Sequence, residues 1–377
     1  LQGLALYIHI PFCDHKCIYC DFYSVTNNKN QDAYLEALKK EIDFYSSKYS
    51  SEFGISTLYF GGGTPSLVEP YFIEEIIEHL NKNFNFVSPP EITLETNPGT
   101  VKANKLKMFK EVGINRLSIG VQSFDDADLK FLTRIHNSEV AINTIKTACE
   151  AGFENLSLDL IFNLPDQTIA KWQKNLEIAT SLPVKHISAY SLIVEKGTIL
   201  NALIKKGKVT LPPNDYDADL YFRTIDYLNQ KKFLQYEVSN FAQKGFECKH
   251  NLFYWHYKNY LGLGTSAHSF VKGKRWRNYS SLNTYLKKIN TYSNAVRSIE
   301  VLSNKEMIEE FVMLGLRSDG LDLSLLKKKF GNKWLVNNNK LLKTLELQKF
   351  IKRKRSKIKF TPKGYALCDE ILLNLKF

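Results

Sequence analysis

The sequence predicts an α/β protein: a partial (βα)6 barrel followed by a mainly helical, winged-helix-like C-terminal domain. Three observations predict it. Short β-rich runs alternate with helical patterns six times between residues 4 and 230. Polar motifs fall at the C-terminal ends of those runs, where barrels carry their chemistry. From about Leu282 the pattern turns helical and closes with a basic hairpin and a last helix.

The expected strands are Leu4–Ile10, Ser56–Phe60, Glu91–Asn97, Arg116–Gln122, Asn155–Phe162 and His186–Leu192. They read as apolar almost throughout, as parallel strands covered on both faces should. Helical periodicity fills Asp32–Tyr49, Glu69–Asn81, Lys102–Glu111, Glu139–Ala151 and Thr168–Ala179, and Asp215–Gln230 follows the last strand after a longer loop. This alternation gives right-handed βα crossovers, and six units leave one side of a barrel open. Residues 1–230 are therefore assigned to the barrel. Residues 231–285, dense in aromatics and histidines, are read as extra strands and loops against its open side. Residues 286–377 form the C-terminal domain, with helices expected over Ser303–Leu316, Asp322–Lys329, Asn338–Leu347 and Gly364–Leu373 and a hairpin between Phe350 and Thr361.

At 377 residues and 44% hydrophobic, the chain can bury a large core plus a second domain. Its formal charge of +12 selects no partner by itself. The basic run Lys352, Arg353, Lys354, Arg355, Lys357, Lys359 is read as a solvated hairpin whose lysines deter edge pairing, with no nucleic acid expected. Without a long apolar run, no membrane span is expected. Without a basic-plus-apolar leader, a reducing cytoplasmic setting is expected, with peripheral membrane association left open. Cys149, Cys248 and Cys368 stand singly and are expected as buried small hydrophobes.

The other cysteines, Cys13, Cys17 and Cys20, follow the first strand as Cys-x3-Cys-x2-Cys. Such crowding marks ligands: thiolates suit iron–sulfur clusters or zinc. Structural zinc wants four ligands, usually two from a second loop. That second pair is missing here, although His9 and His15 are available. A [4Fe–4S] cluster held by three cysteines leaves one iron free for a small molecule. A disulfide suits this setting less.

The Cys-x3-Cys-x2-Cys loop, with an aromatic before its last cysteine, resembles the radical S-adenosyl-L-methionine (SAM) superfamily. The stretches YIHIPFC, GGGTP, IGVQSF, YEVSNFA and HNLFYW more closely resemble the oxygen-independent coproporphyrinogen III oxidase family, in its heme chaperone (HemW-like) branch. The resemblance implies a TIM-like partial barrel of the radical SAM type, with SAM chelating the free iron of the cluster. It implies SAM contacts from Tyr7, Tyr19, Gly62, Gly63, Thr64, Glu95, Gln122, Arg134 and Asp159. Consecutive glycines let a backbone approach a ligand closely, and SAM's carboxylate suits Arg134. It also implies heme at His250, Tyr254 and Trp255, since heme iron takes ligands such as His or Tyr. Cys248 and His268 are further candidates for that cavity.

Some residues depart from the family pattern. Asn163 and Asp166 stand where glycines are usual, and Asn and Asp are the next most tolerant of turn conformations. Thr265 and Ser266 replace smaller residues. Phe22 stands where the oxidases resemble Cys-x3-Cys-x2-Cys-x-Cys, as it does in the chaperone branch. The resemblance thus implies a heme chaperone that binds a [4Fe–4S] cluster, SAM and heme and hands heme to an acceptor, membrane-bound and respiratory. A coproporphyrinogen III oxidase is the second expectation, and a nucleic-acid binder using the basic run a distant third.

Overall fold

The computed structural model describes residues 1–377, the side chain of Ser88 excepted. The first part runs β1 (Gln2–Ile10), α1 (Gln31–Tyr49), β2 (Phe53–Gly62), α2 (Pro70–Asn83), β3 (Phe86–Thr96), α3 (Ala103–Glu111), β4 (Arg116–Gln122), α4 (Asp126–Phe131), α5 (Ser138–Glu150), β5 (Asn155–Phe162), α6 (Ile169–Ser181), β6 (His186–Ser191), α7 (Ile199–Lys205) and α8 (Asn214–Gln230). β1 to β6 pair in sequence order, all parallel. These are the six expected βα units. The short helices α4 and α7 were not foreseen; each lies in a connection read as loop.

The next part adds β7 (Leu234–Gln235), β8 (Asn240–Ala242), α9 (Lys249–Trp255), β9 (Tyr260–Leu263), β10 (His268–Val271), β11 (Lys274–Asn278), α10 (Leu282–Tyr292) and β12 (Val296–Val301). These strands extend both edges. β8 runs antiparallel beside β6 with β7 outside it, and β9 runs parallel beside β1, followed by β10, β11 and β12. The sheet is open, from β12 to β7. HNLFYW is helical, not strand or loop as read from its aromatics.

The last part, α11 (Asn304–Leu316), β13 (Leu321–Asp322), α12 (Leu323–Phe330), α13 (Lys333–Leu347), β14 (Ile351–Lys354), β15 (Lys357–Phe360), α14 (Pro362–Ala366) and α15 (Cys368–Leu373), has the winged-helix order of elements around a small sheet. Ser303 and Glu306 form a capping box that starts α11, and the Asp322 carboxylate starts α12. The single final helix is split at Leu367 into α14 and α15. A separate apolar core gathers here around Phe311, Leu326, Trp334 and Ile358. Leu282, Tyr285 and Ile289 of α10 instead join the barrel core, so we place the division after Val301. Among the described residues no helix is long and apolar enough to cross a membrane. Cys248 and Cys368 are buried as expected, but Cys149 is exposed on α5.

One expectation about the strands is corrected. β4, β5 and β6 are apolar on one face only. Leu117, Ile119, Leu156, Leu158 and Ile187 join the core under the helices. The alternate residues Arg116, Ser118, Asn155, Ser157, Asp159, His186 and Ser188 share the other face, which lines the barrel interior. Ser118 Oγ lies 3.4 Å from Asp159 Oδ1, and Ser157 Oγ lies 2.7 Å from His186 Nδ1. Each polar residue sits next to an aliphatic one, which masks the period of two in an overall hydropathy reading.

Candidate functional site

The cysteine loop leaves β1 at Pro11 and closes on itself before α1. Cys13 N donates to the Val25 carbonyl at 3.0 Å, and Val25 N to the Pro11 carbonyl at 2.8 Å. Cys13 is buried, while Cys17 and Cys20 are half-buried. Burial pushes the Cys13 and Cys20 thiols up.

Thr64 just beyond β2, Asn97 just beyond β3 and Arg134 after α4 tie this loop down. Cys13 Sγ lies 3.1 Å from Thr64 Oγ1, which accepts from Asn97 Nδ2 at 2.9 Å. The Thr64 hydroxyl hydrogen is thereby left for Cys13. Arg134 Nη2 donates to Asn97 Oδ1 at 2.9 Å and to the Gly120 carbonyl at 2.8 Å, and its Nη1 reaches Cys17 Sγ at 3.5 Å. Gly120 makes the convergence possible: a Cβ there would lie 3.0 Å from Gln122 Nε2 and 3.1 Å from Asn97 Oδ1. Tyr19 lies beside Arg134, and burial holds its phenol protonated. A small cleft opens here, lined by Cys17, Thr64, Asn97 and Arg134 among others.

These residues fit an iron–sulfur cluster. The donors are three soft thiols on one short loop. Arg134 brings a positive charge against them, and its Nε is buried with no partner among the described residues. The thiols are spread out rather than convergent; among the described residues no group of three His, Cys, Asp or Glu side chains could hold a single ion. His9 is already engaged through both ring nitrogens, by Tyr7 OH at 3.1 Å and by the Tyr23 carbonyl at 2.9 Å.

The second part of the site lies deeper. Glu95 accepts from Tyr59 OH at 2.9 Å and from Gly62 N at 3.0 Å. Burial pushes its carboxyl up to about 7. Tyr7 stacks on Tyr59 with ring centroids 6.1 Å apart. The Tyr23 carbonyl can only accept, so His9 Nε2 carries the hydrogen and Nδ1 accepts from Tyr7. The Tyr7 oxygen therefore offers only lone pairs to the interior. Gly62 has φ +118°, and Gly63 packs so tightly that a Cβ would lie 2.6 Å from the Phe12 carbonyl oxygen. Asp159 stands inward with Ser118, its carboxyl pushed up by burial. Tyr59, Asn97 and Thr133, whose Oγ1 accepts from Ile18 N of the cysteine loop at 3.2 Å, were missed from sequence: none belongs to a quoted motif, and only alternation along β2 marks Tyr59.

Against known proteins, the radical SAM superfamily pattern matches residues 7–179, and that of the HemN C-terminal domain matches residues 302–367. The heme chaperone HemW of Bacillus subtilis (strain 168) is 36% identical over 373 residues, covering 97% of each chain. That of Lactococcus lactis subsp. lactis (strain IL1403) is 35% identical over 372 residues, covering 97% of this chain and 96% of its own. The chain belongs to the HemW family. Among solved structures, coproporphyrinogen III oxidase (HemN) from Escherichia coli, a radical SAM enzyme, superposes with a TM-score of 0.84 at 25% identity, over 99% of this chain and 89% of its own.

In this HemW-family chain HNLFYW forms a helix that His250 anchors to Thr57 of β2. His250 is 1% exposed. Its Nδ1 lies 2.8 Å from Thr57 Oγ1 and its Nε2 lies 2.7 Å from Tyr254 OH. Burial lowers its pKa to about 3, so the ring is neutral. Glu91 caps α9, accepting from His250 N at 3.0 Å and Lys249 N at 3.1 Å. Buried Cys248 lies 3.6 Å from the same carboxylate. Trp255 is half-buried at the far end, next to His256, which pairs with Asp319 of the last domain at 2.8 Å. His268 is exposed on β10. The structure thus joins Cys13, Cys17, Thr64, Gln122 and Arg134 in one cluster of contacts and Tyr7, Gly62 and Glu95 in another. Tyr59 joins His250 to the second cluster, its ring centroid 5.0 Å from that of His250. In this chain Asn163 and Asp166, at the positions of family glycines, take left-handed φ of 63° and 59°, as the tolerance of Asn and Asp predicts.

Proposed function

We propose that this chain is a heme chaperone that holds a [4Fe–4S] cluster on Cys13, Cys17 and Cys20, binds SAM beside it, binds heme and passes heme to an acceptor protein. The observation that carries it is the cysteine loop locked by Thr64, Asn97 and Arg134 in a chain 36% identical to a protein named heme chaperone along nearly its whole length. When bound and reduced, the cluster would supply the electron that opens the sulfonium bond of SAM. The residues of this chain do the rest. Arg134 and Gln122 offer donors for the SAM carboxylate. Glu95, Asp159 and the Tyr7 oxygen offer acceptors for its ammonium, sulfonium and ribose groups. Gly62 and Gly63 let the backbone approach, and Tyr19 supplies an aromatic face.

Heme is placed at α9. Leu252, Phe253 and Trp255 are half-buried and offer a flat apolar ring an accessible face, and iron ligation by His250 requires its bonds to Thr57 and Tyr254 to open. The acceptor is a heme protein, membrane-bound and respiratory, and the setting is cytoplasmic. The test is anaerobic reconstitution with iron, sulfide and heme. Optical and paramagnetic spectra should show two independent centres, and SAM should perturb only the iron–sulfur one. Zinc at the cysteines, or a cluster indifferent to SAM, would refute it.

The likeness to HemN favours a second reading, oxidation of coproporphyrinogen III. Against it, Phe22 stands exposed in the position of the fourth cysteine. Vinyl-group formation from coproporphyrinogen III with SAM and reductant would establish that reading instead.

A further inference from the structure

Two histidines mark the ends of α9, and they are held differently. His250 is fully buried, with both ring nitrogens hydrogen-bonded. His256 stands where the helix ends. Its side chain is 34% exposed, and its Nε2 lies 2.8 Å from Oδ1 of Asp319, whose side chain is 35% exposed. A carboxylate only accepts, so Nε2 carries the hydrogen and Nδ1 holds a lone pair. Nδ1 has no hydrogen-bond partner among the described residues and is not buried, so it meets water.

Side chains three and four residues apart share a helix face. Phe253 and Leu252, both half-buried, therefore lie on the side of His256, and half-buried Trp255 precedes it in the chain. Exposed Lys258 sets its Nζ 4.9 Å from the Phe253 ring centroid, a cation beside that face. Heme is a flat apolar ring with two carboxylates, and both parts find partners around His256.

Freeing the two imidazoles costs differently. His250 would leave Thr57 Oγ1 and Tyr254 OH without a partner in a buried setting. His256 would give up one contact between groups a third exposed, which water replaces at little cost. Asp319 then keeps Lys357, whose Nζ lies 2.7 Å from Oδ2. The last domain keeps its hold as well. Tyr257 packs on Phe311 with ring centroids 6.0 Å apart, and Val238 N donates to the Arg317 carbonyl at 3.0 Å.

We propose that His256 is an axial ligand of heme iron, its Nε2 exchanging the Asp319 carboxylate for the metal. This rests on the placing of heme at α9. The hydrogen on Nε2 moves through water to Nδ1, so the ring that meets iron is neutral and no net proton is lost. Asp319 of the last domain thus competes with heme for the same nitrogen.

Heme titration of the full chain, followed by absorption and magnetic circular dichroism, tests it. H256Q keeps a donor for Asp319 but has no imidazole. It should lose the histidine-ligated spectrum and bind heme at least about tenfold more weakly. H256A should do the same, and added imidazole should restore its spectrum. D319A, freed of the competitor, should bind heme as tightly as wild type or up to about fivefold more tightly. Weaker binding by D319A would make the carboxylate a support of the ring, and would overturn the proposal. Wild type that takes up no heme would refute heme binding and this ligand with it. Heme taken up with an unaltered spectrum in H256Q and H256A would refute this ligand alone.

Discussion

Gly62 leaves the space that the His9 ring fills. A Cβ at Gly62 would stand 2.5 Å from His9 Cε1, and the ring held there bridges β1 to the chain just past Cys20 through the Tyr23 carbonyl. The second glycine of GGGTP therefore serves the cysteine loop as well as any ligand.

Gly62→Ala should destabilise the protein by about 2–4 kcal/mol, from the clash and the positive φ together. His9→Ala should relieve part of it, so the double variant should be more stable than the two losses summed. Urea unfolding of the four proteins measures this, and strict additivity would deny the contact.

Serine at Cys13, Cys17 and Cys20 should abolish iron and sulfide uptake while heme binding persists, because α9 lies apart from the loop. Iron analysis and heme titration on the same preparation check both halves. Loss of heme from a folded variant would mean that the sites are not separate.

His250→Ala removes two buried hydrogen bonds and leaves a cavity. A stability loss of about 2–4 kcal/mol is expected. If heme affinity falls while the melting curve stays in place, the ring is an accessible ligand rather than a buried strut.

Glu41 is fully buried on α1 and accepts from Tyr285 OH at 2.7 Å, Gly264 N at 2.8 Å and Asn278 Nδ2 at 2.7 Å. Burial raises its carboxyl from 4.5 to about 7. With the folded value above the unfolded one, its contribution is full below about 4.5 and is lost as pH rises to about 7. Relative to Glu41→Gln, wild-type stability should fall by up to about 3 kcal/mol across that window. Unfolding curves at a series of pH values test it, and parallel profiles would show that Glu41 titrates normally.

The alternation of strands and helices was legible because apolar periodicity and helix caps are local properties. Ser303, Asp322 and Asn137 mark helix starts in the chain itself. Cys13, Cys17 and Cys20 were legible for the same reason: their spacing puts all three thiols on one short loop. Arg116, Tyr59, Asn97 and Thr133 were not. Each is an ordinary residue until β-pairing sets it beside partners far along the chain.

The sequence by itself determined the βα order, the cysteine loop and the family, since each is written in neighbouring residues. Tertiary structure alone decided that HNLFYW is a helix capped by Glu91 with His250 buried, that residues 282–301 pack with the large sheet, and that the barrel interior is polar. The reason is physical: which face of a strand or helix is enclosed depends on what packs against it, and those partners lie scores of residues away.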